Sequence, residues 1–254
     1  MYKGKIIACI TNRRLVRGDF LAQIERVAAM EMVDWIIVRE KDLTSEAYRA
    51  LFAQVVRIAH KHGKKCIAHG WGALGAEPED AAVLQEAALR QQGRHAPAAE
   101  ERRLSPRTVS ECGADGIHLP LDALRTWRAA SAQDGRQPAM EEGAVKLVGA
   151  SAHSVAELAE AASLGSHYAT FSPIFATACK PDAAPLGAAA LAAACKEAPL
   201  PVFALGGIGM DKLDACIEAG AAGCCMMSEL MRCIYSICSV PLGLEFLKVH
   251  GTIK

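Results

Sequence analysis

Ser151, His153 and Ser154 follow one short apolar run, Val148-Gly149-Ala150. Thr177, Cys179 and Lys180 follow another, Tyr168-Ala169-Thr170-Phe171. Hydroxyls, an imidazole and an ammonium on neighbouring strand ends can together bind an anion and move a proton. A third run, Trp35 to Val38, is followed by Arg39-Glu40-Lys41-Asp42. There Arg39 would grip an anion with its planar fork and Lys41 as a point charge. Two more runs end in Leu205-Gly206-Gly207-Ile208 and Met226-Met227-Ser228. Bare glycine N–H groups and the start of a short helix suit a phosphate, so a side chain added at Gly207 is expected to intrude on the anion.

These residues need a scaffold that delivers every strand end to one rim. Strand-like runs are expected at Lys5–Ile10, Trp35–Val38, Lys65–Ala68, Gly116–Leu119, Lys146–Ala150, Tyr168–Phe171, Val202–Leu205 and Gly223–Met227. Helical spacing or composition fills the intervals at Phe20–Met30, Ser45–His62, Leu121–Ala130, Val155–Leu164, Ala188–Glu197 and Asp211–Ala219. Eight such repeats in 254 residues predict one (β/α)8 TIM barrel rather than two domains or an open sheet. Two stretches rich in Ala, Glu, Gln, Arg, Gly and Pro, about 72–106 and 131–143, carry no strand signal and are expected to be insertions on that single domain.

The 28 acidic and 28 basic residues balance. No clustered basic field points to nucleic acid or a membrane surface, and a charged ligand must be met locally. The apolar run at Cys224–Met227 is interrupted by Ser228, Glu229 and Arg232 and is too short to span a bilayer. Met1-Tyr2-Lys3-Gly4-Lys5 leads straight into a strand, so the expected location is cytoplasmic. The ten cysteines are then reduced. Cys9, Cys66, Cys195, Cys216, Cys224 and Cys225 are expected as small buried hydrophobes, since no zinc-like spacing occurs.

The chain resembles the thiamine-phosphate synthase and TenI-like superfamily. The resemblance is carried by Ile7-Ala8-Cys9-Ile10-Thr11-Asn12-Arg13, Arg39-Glu40-Lys41-Asp42-Leu43, Gly113-Ala114-Asp115-Gly116-Ile117-His118-Leu119, the stretch from Val148 to Gly187, and Pro201 to Met231. It implies a barrel of thiamine biosynthesis whose small-molecule ligand is thiazole phosphate. Arg39, Lys41, Ser151, Thr177, Cys179, Lys180, Gly206, Gly207, Met227 and Ser228 would contact the substrate and its phosphate. It leaves room for a homo-oligomer.

Within the superfamily, the departures point away from the synthase. The synthase pattern places Asn-Asp after the third strand and an Asp soon after the fourth, as oxygen ligands for Mg²⁺; here those positions read His69-Gly70 and Ala123, with Asp122 one residue off. A Gln that reads the pyrimidine is Ile37. His69 and His118 could line the pocket, but two histidines without a carboxylate are a poor Mg²⁺ site. The expected activity is therefore a TenI-like thiazole tautomerase, an isomerase with His153 as its acid/base and no metal or other cofactor. Its alternatives are a thiamine-phosphate synthase, a transferase that would require Mg²⁺, and a non-catalytic thiazole-phosphate binding or regulatory protein.

Overall fold

The computed structural model describes residues 1–70, 112–133, 146–177 and 183–233. Eight strands run β1 Ile6–Ile10, β2 Trp35–Val38, β3 Lys65–His69, β4 Gly116–Pro120, β5 Leu147–Ala152, β6 Tyr168–Phe171, β7 Val202–Leu205 and β8 Gly223–Met226. They close as a parallel barrel in chain order, with β8 paired to β1. The described helices are α1 Phe20–Ala28, α2 Ser45–Lys61, α3 Leu121–Gln133, α4 Val155–Ser163, α5 Gly187–Glu197, α6 Leu213–Glu218 and α7 Ser228–Arg232. Short 3₁₀ turns lie at Arg13–Leu15 and Met210–Lys212.

Each strand is covered on both faces, which is why it reads as an unbroken apolar run. Ala8, Ile10, Trp35, Ile37, Ile67, Tyr168, Phe203 and Cys225 fill the barrel interior. The alternate residues, such as Ile7, Cys9, Ile36, Val38, Cys66 and Ala68, pack outward with helix residues including Ile24, Val27 and Phe52. Polar residues start the helices at the loop ends. Asp19 accepts the Ala22 N–H at 2.7 Å, Thr44 that of Ala47 at 3.3 Å and Ser154 that of Glu157 at 3.2 Å.

The observed elements refine the expected ones. Strand β5 continues to Ala152, so Ser151 lies within the strand. Helix α3 continues to Gln133 and takes in the first residues assigned to the second insertion. The rest of that insertion and the whole of the first fall within 134–145 and 71–111, outside the described residues. Cys9, Cys66, Cys216, Cys224 and Cys225 are buried as expected, while Cys195 is only half-buried. Among the described residues no helix is long and apolar enough to cross a membrane.

Candidate active site

Parallel closure puts all eight strand C-termini at one mouth. On the β1–β2 side the mouth is organised by a buried carboxylate. Glu40 accepts a hydrogen bond from Thr11 Oγ1 at 2.8 Å and from the Arg13 N–H at 3.1 Å, and pairs with Arg13 Nε at 3.2 Å. Thr11 Oγ1 in turn accepts the Arg39 N–H at 2.9 Å. Arg13 and Arg14 also pair with Asp42, at 3.1 and 3.2 Å. The acidic half of the charge run after β2 is therefore structural, since Glu40 and Asp42 fasten the β1 and β2 ends together and fix the backbone that carries Arg39. Burial is the largest influence on the Glu40 carboxyl and pushes it up, against the pull of its donors.

The β3–β6 side is polar and uncharged. His118, buried on β4, lies between the Tyr168 hydroxyl, 3.1 Å from Nδ1, and Ser151 Oγ, 3.0 Å from Nε2. Burial holds its imidazole down to about 4, so the ring is neutral near pH 7. Gly149 makes room for this arrangement: an added Cβ would fall 2.2 Å from the Tyr168 ring. His69, at the end of β3, pairs in register with His118, and their ring centroids are 5.5 Å apart. Burial, then His118, then the positive charges of Arg39 and Lys41 hold the His69 imidazole well below its usual range. Its backbone N–H donates to the Tyr48 hydroxyl at 3.2 Å, which donates to the Val38 carbonyl at 2.7 Å. Among the described residues the His69 Nδ1 atom is buried without a hydrogen-bond partner, and so is Thr170 Oγ1 on β6.

The third part of the mouth is the glycine turn after β7. Gly206 and Gly207 both adopt left-handed backbone, with φ of +105° and +63°. The space reason differs from the expected one. A Cβ on Gly207 would lie 2.3 Å from the Ala176 carbonyl and 3.0 Å from Phe175, so a side chain there strikes the loop after β6. Ile174 and Phe175 donate their N–H groups to Leu205 and Gly206 at 2.9 and 3.0 Å, and Lys212 Nζ donates to the Gly207 carbonyl at 2.9 Å. Glu229, in the first turn of α7, accepts the Met210 N–H at 3.0 Å. Asn12 Nδ2 lies 3.9 Å from Met227 Sδ, which joins the β8 end to the β1 loop. We expect Gly207→Val to displace the β6 loop with Thr177 and, if the turn receives the thiazole phosphate that the family resemblance implies, to lower its affinity about tenfold or more, the scale of one or two lost charge-assisted hydrogen bonds. Unchanged affinity by titration calorimetry would locate the anion elsewhere.

The structure brings together the strand-end residues Arg39, Ser151, Gly206, Gly207, Met227 and Ser228, with Lys41 and Thr177 in the loops that follow. Cys179 and Lys180 lie outside the described residues. His153 is exposed just before α4: its backbone N–H donates to Glu157 at 2.6 Å, and its Nδ1 lies 2.7 Å from the Ser172 carbonyl. One ring nitrogen is thus engaged in tying the β5 and β6 loops together. Tyr48 and Thr170 were missed as site residues. The Glu40 signal was present in the four-residue charge run, whereas a buried partner for a hydroxyl leaves no trace in spacing.

The magnesium implied by the family resemblance does not fit these donors. Among the described residues no group of three His, Cys, Asp or Glu side chains could hold a metal ion. Gly70 is packed: a Cβ there would lie 2.8 Å from Leu119 Cδ2 and 3.2 Å from Ile117 Cδ1. The Asp122 side chain is 86% exposed and paired with Arg125.

Comparison with known proteins agrees with the barrel. A family described as thiamine monophosphate synthase matches residues 105–230. A putative thiamine-phosphate synthase 2 from Aquifex aeolicus is 35% identical over 223 residues, 88% of this chain and 96% of its own length. A thiamine-phosphate synthase from a Synechococcus strain is 37% identical over 118 residues, 46% of this chain but 31% of its own length. The chain spans about half the length of other curated relatives, such as one from Geobacter sulfurreducens at 52%. A thiamine phosphate pyrophosphorylase structure from Pyrococcus furiosus shares the fold, with a TM-score of 0.64 and 16% identity over 92% of this chain and 90% of its own. The relatives' names overturn the tautomerase expectation, and with it the isomerase class. That expectation weighed three missing side chains and one histidine above similarity distributed along the chain, and the histidine is a loop tie with one nitrogen engaged. Identity of this extent, spread over a barrel whose strand ends converge as described, shows that the chain belongs to the thiamine monophosphate synthase family.

Proposed function

We propose that this protein is a transferase of the thiamine-phosphate synthase type, joining thiazole phosphate to a pyrimidine pyrophosphate. The observation that carries the reading is the Aquifex relative, which matches 88% of this chain and 96% of its own length. In this reaction the thiazole nitrogen attacks the exocyclic carbon of the pyrimidine, a C–N bond forms, the C–O bond breaks, and its electron pair leaves with pyrophosphate. The mouth supplies positions for both anions. Backbone N–H groups around Gly206, Gly207 and Ser228, with Met227 beside them, receive the thiazole phosphate. Arg39 and Lys41 compensate the charge developing on pyrophosphate. Ser151 and Thr177 border the space between, and His153 stands at its edge. No step is assigned to a metal, because the described donors do not hold one.

The test is direct. Incubation with both substrates, with excess Mg²⁺ and separately with EDTA, is expected to yield thiamine phosphate and pyrophosphate in equal amounts under at least one condition. Arg39→Ala is expected to raise KM for the pyrimidine pyrophosphate about tenfold, the scale of one charge-assisted contact. Absence of product under both conditions at saturating substrate would end the synthase reading.

A further inference from the structure

The β8 end brings Met227 and Ser228 to the mouth, yet little within its own segment holds it there. Helix α7 has five residues, no side-chain hydrogen bond caps its start, and Cys233 just past its end is already extended. The last carbonyls of a helix have no donor within it, and a helix this short is not stable by itself. One of those carbonyls is met from 207 positions away: Gln23 Nε2 donates to the Leu230 carbonyl at 2.6 Å.

Gln23 lies on α1 beside Ile24, and only 2% of it is exposed. A buried amide is costly unless both of its ends are matched. Both are matched here. Its Oε1 accepts from Arg26 Nε at 3.0 Å and from Arg26 Nη2 at 2.5 Å, one helical turn further on. A guanidinium has donors only, so it fixes the oxygen end of the amide and leaves the N–H end for α7. An apolar side chain would pack α1 as well, and what the amide adds is the tie to Leu230.

Two other contacts show what that tie completes. Glu229, next to Leu230, accepts the Met210 N–H at 3.0 Å, which joins α7 to the segment after the glycine turn. Asn12 Nδ2 approaches Met227 Sδ at 3.9 Å on the β1 side. With Leu230 released, the five residues would keep only these contacts at their front and could turn about them, carrying Ser228 away from Gly206 and Gly207.

Resting on the reading that Gly206, Gly207 and Ser228 receive the thiazole phosphate, we propose that Gln23, oriented by Arg26, is a positioning residue for that half of the mouth. It touches no substrate and acts through the Leu230 carbonyl, which sets Met227 and Ser228 against the glycine turn.

Calorimetric titration with each substrate alone tests this without turnover. Gln23→Met keeps the length of the side chain and removes both hydrogen bonds; it is expected to weaken thiazole phosphate about fivefold or more, the scale of one hydrogen bond, and to leave pyrimidine pyrophosphate within about twofold. Gln23→Glu keeps an acceptor for Arg26 but, ionised, has no donor for Leu230, and should weaken thiazole phosphate as much. Arg26→Met changes a half-buried residue, leaves the core intact, and should give a smaller loss of about threefold in the same selective pattern. In each variant amide hydrogen exchange is expected to quicken in Glu229–Arg232 and to stay unchanged in β2 and β3. Equal weakening of both substrates would overturn the proposal, and so would unchanged thiazole phosphate affinity with a lower melting temperature, because Gln23 would then serve stability alone. A parent protein that does not bind thiazole phosphate would overturn it together with the reading of the glycine turn. Selective weakening in a protein that makes no thiamine phosphate would uphold the positioning role and retire only the synthase reading.

Discussion

Replacing Glu40 by alanine is expected to destabilise the protein by about 3 kcal/mol, the low end of the range for removing one partner of a buried ion pair. The low end applies because the carboxylate is buried while the Arg13 side chain is 31% exposed and can turn to water. The stranded groups are Thr11 Oγ1 and the Arg13 N–H, both of which lose their acceptor. The damage extends to ligand binding, since Thr11 Oγ1 also receives the Arg39 N–H at 2.9 Å. On the proposed synthase function, KM for pyrimidine pyrophosphate should therefore rise more than KM for thiazole phosphate, whose proposed glycine turn follows β7. Glu40→Gln keeps the shape and one acceptor oxygen, and should cost less on both counts. Urea unfolding and the two KM values measure these effects. An alanine variant as stable as the parent would show that the β1–β2 tie is not held by this carboxylate.

Acid should weaken the fold through the histidine wall. The His118 imidazole falls from its usual 6.5 to about 4 on burial. Its folded-state pKa is depressed, so the unfolded chain binds the proton more readily between those values. The stabilisation is complete above pH 6.5, declines as pH falls, and is gone below about 4. By pH 5 the loss from this residue alone is about 2 kcal/mol. His69 acts in the same direction, its imidazole also held well below the usual range. Glu40 acts in the opposite direction. Its raised carboxyl contributes stability below its ordinary 4.5 that is lost as pH climbs through the raised folded-state value, so it opposes the histidines in the range just above 4.5. Urea midpoints measured from pH 7.5 to 5 should fall for the parent and fall less for His118→Gln. Equal slopes for the two proteins would mean that His118 is not held neutral.

The architecture was readable because a parallel barrel strand is buried on both faces. That makes each strand a short, continuous apolar run, and β2, β6 and β7 occur with the expected limits. Helix starts were legible for a local reason: Asp19, Thr44 and Ser154 each satisfy an N–H only three residues away. Strand-end chemistry followed from the fold, since parallel closure sends Arg39, Ser151 and Gly206 to one mouth whatever their separation in the chain.

Pairings between distant segments were decided only by tertiary structure. Glu40 meets Thr11 across 29 positions, and His118 meets Tyr168 across 50. Spacing could not show that Gly207 faces the β6 loop, that Gly70 is walled in by Leu119 and Ile117, or that one nitrogen of His153 is tied to the Ser172 carbonyl. The tautomerase expectation was overturned by the names of the relatives and not by geometry, since departures at a few positions weigh less than similarity along the whole chain. By itself the sequence determined the barrel and the rim on which its chemistry sits. Burial and partner geometry, set by contacts between strands far apart in the chain, decided which groups are neutral and which are pinned, and left His69 Nδ1 without a partner among the described residues.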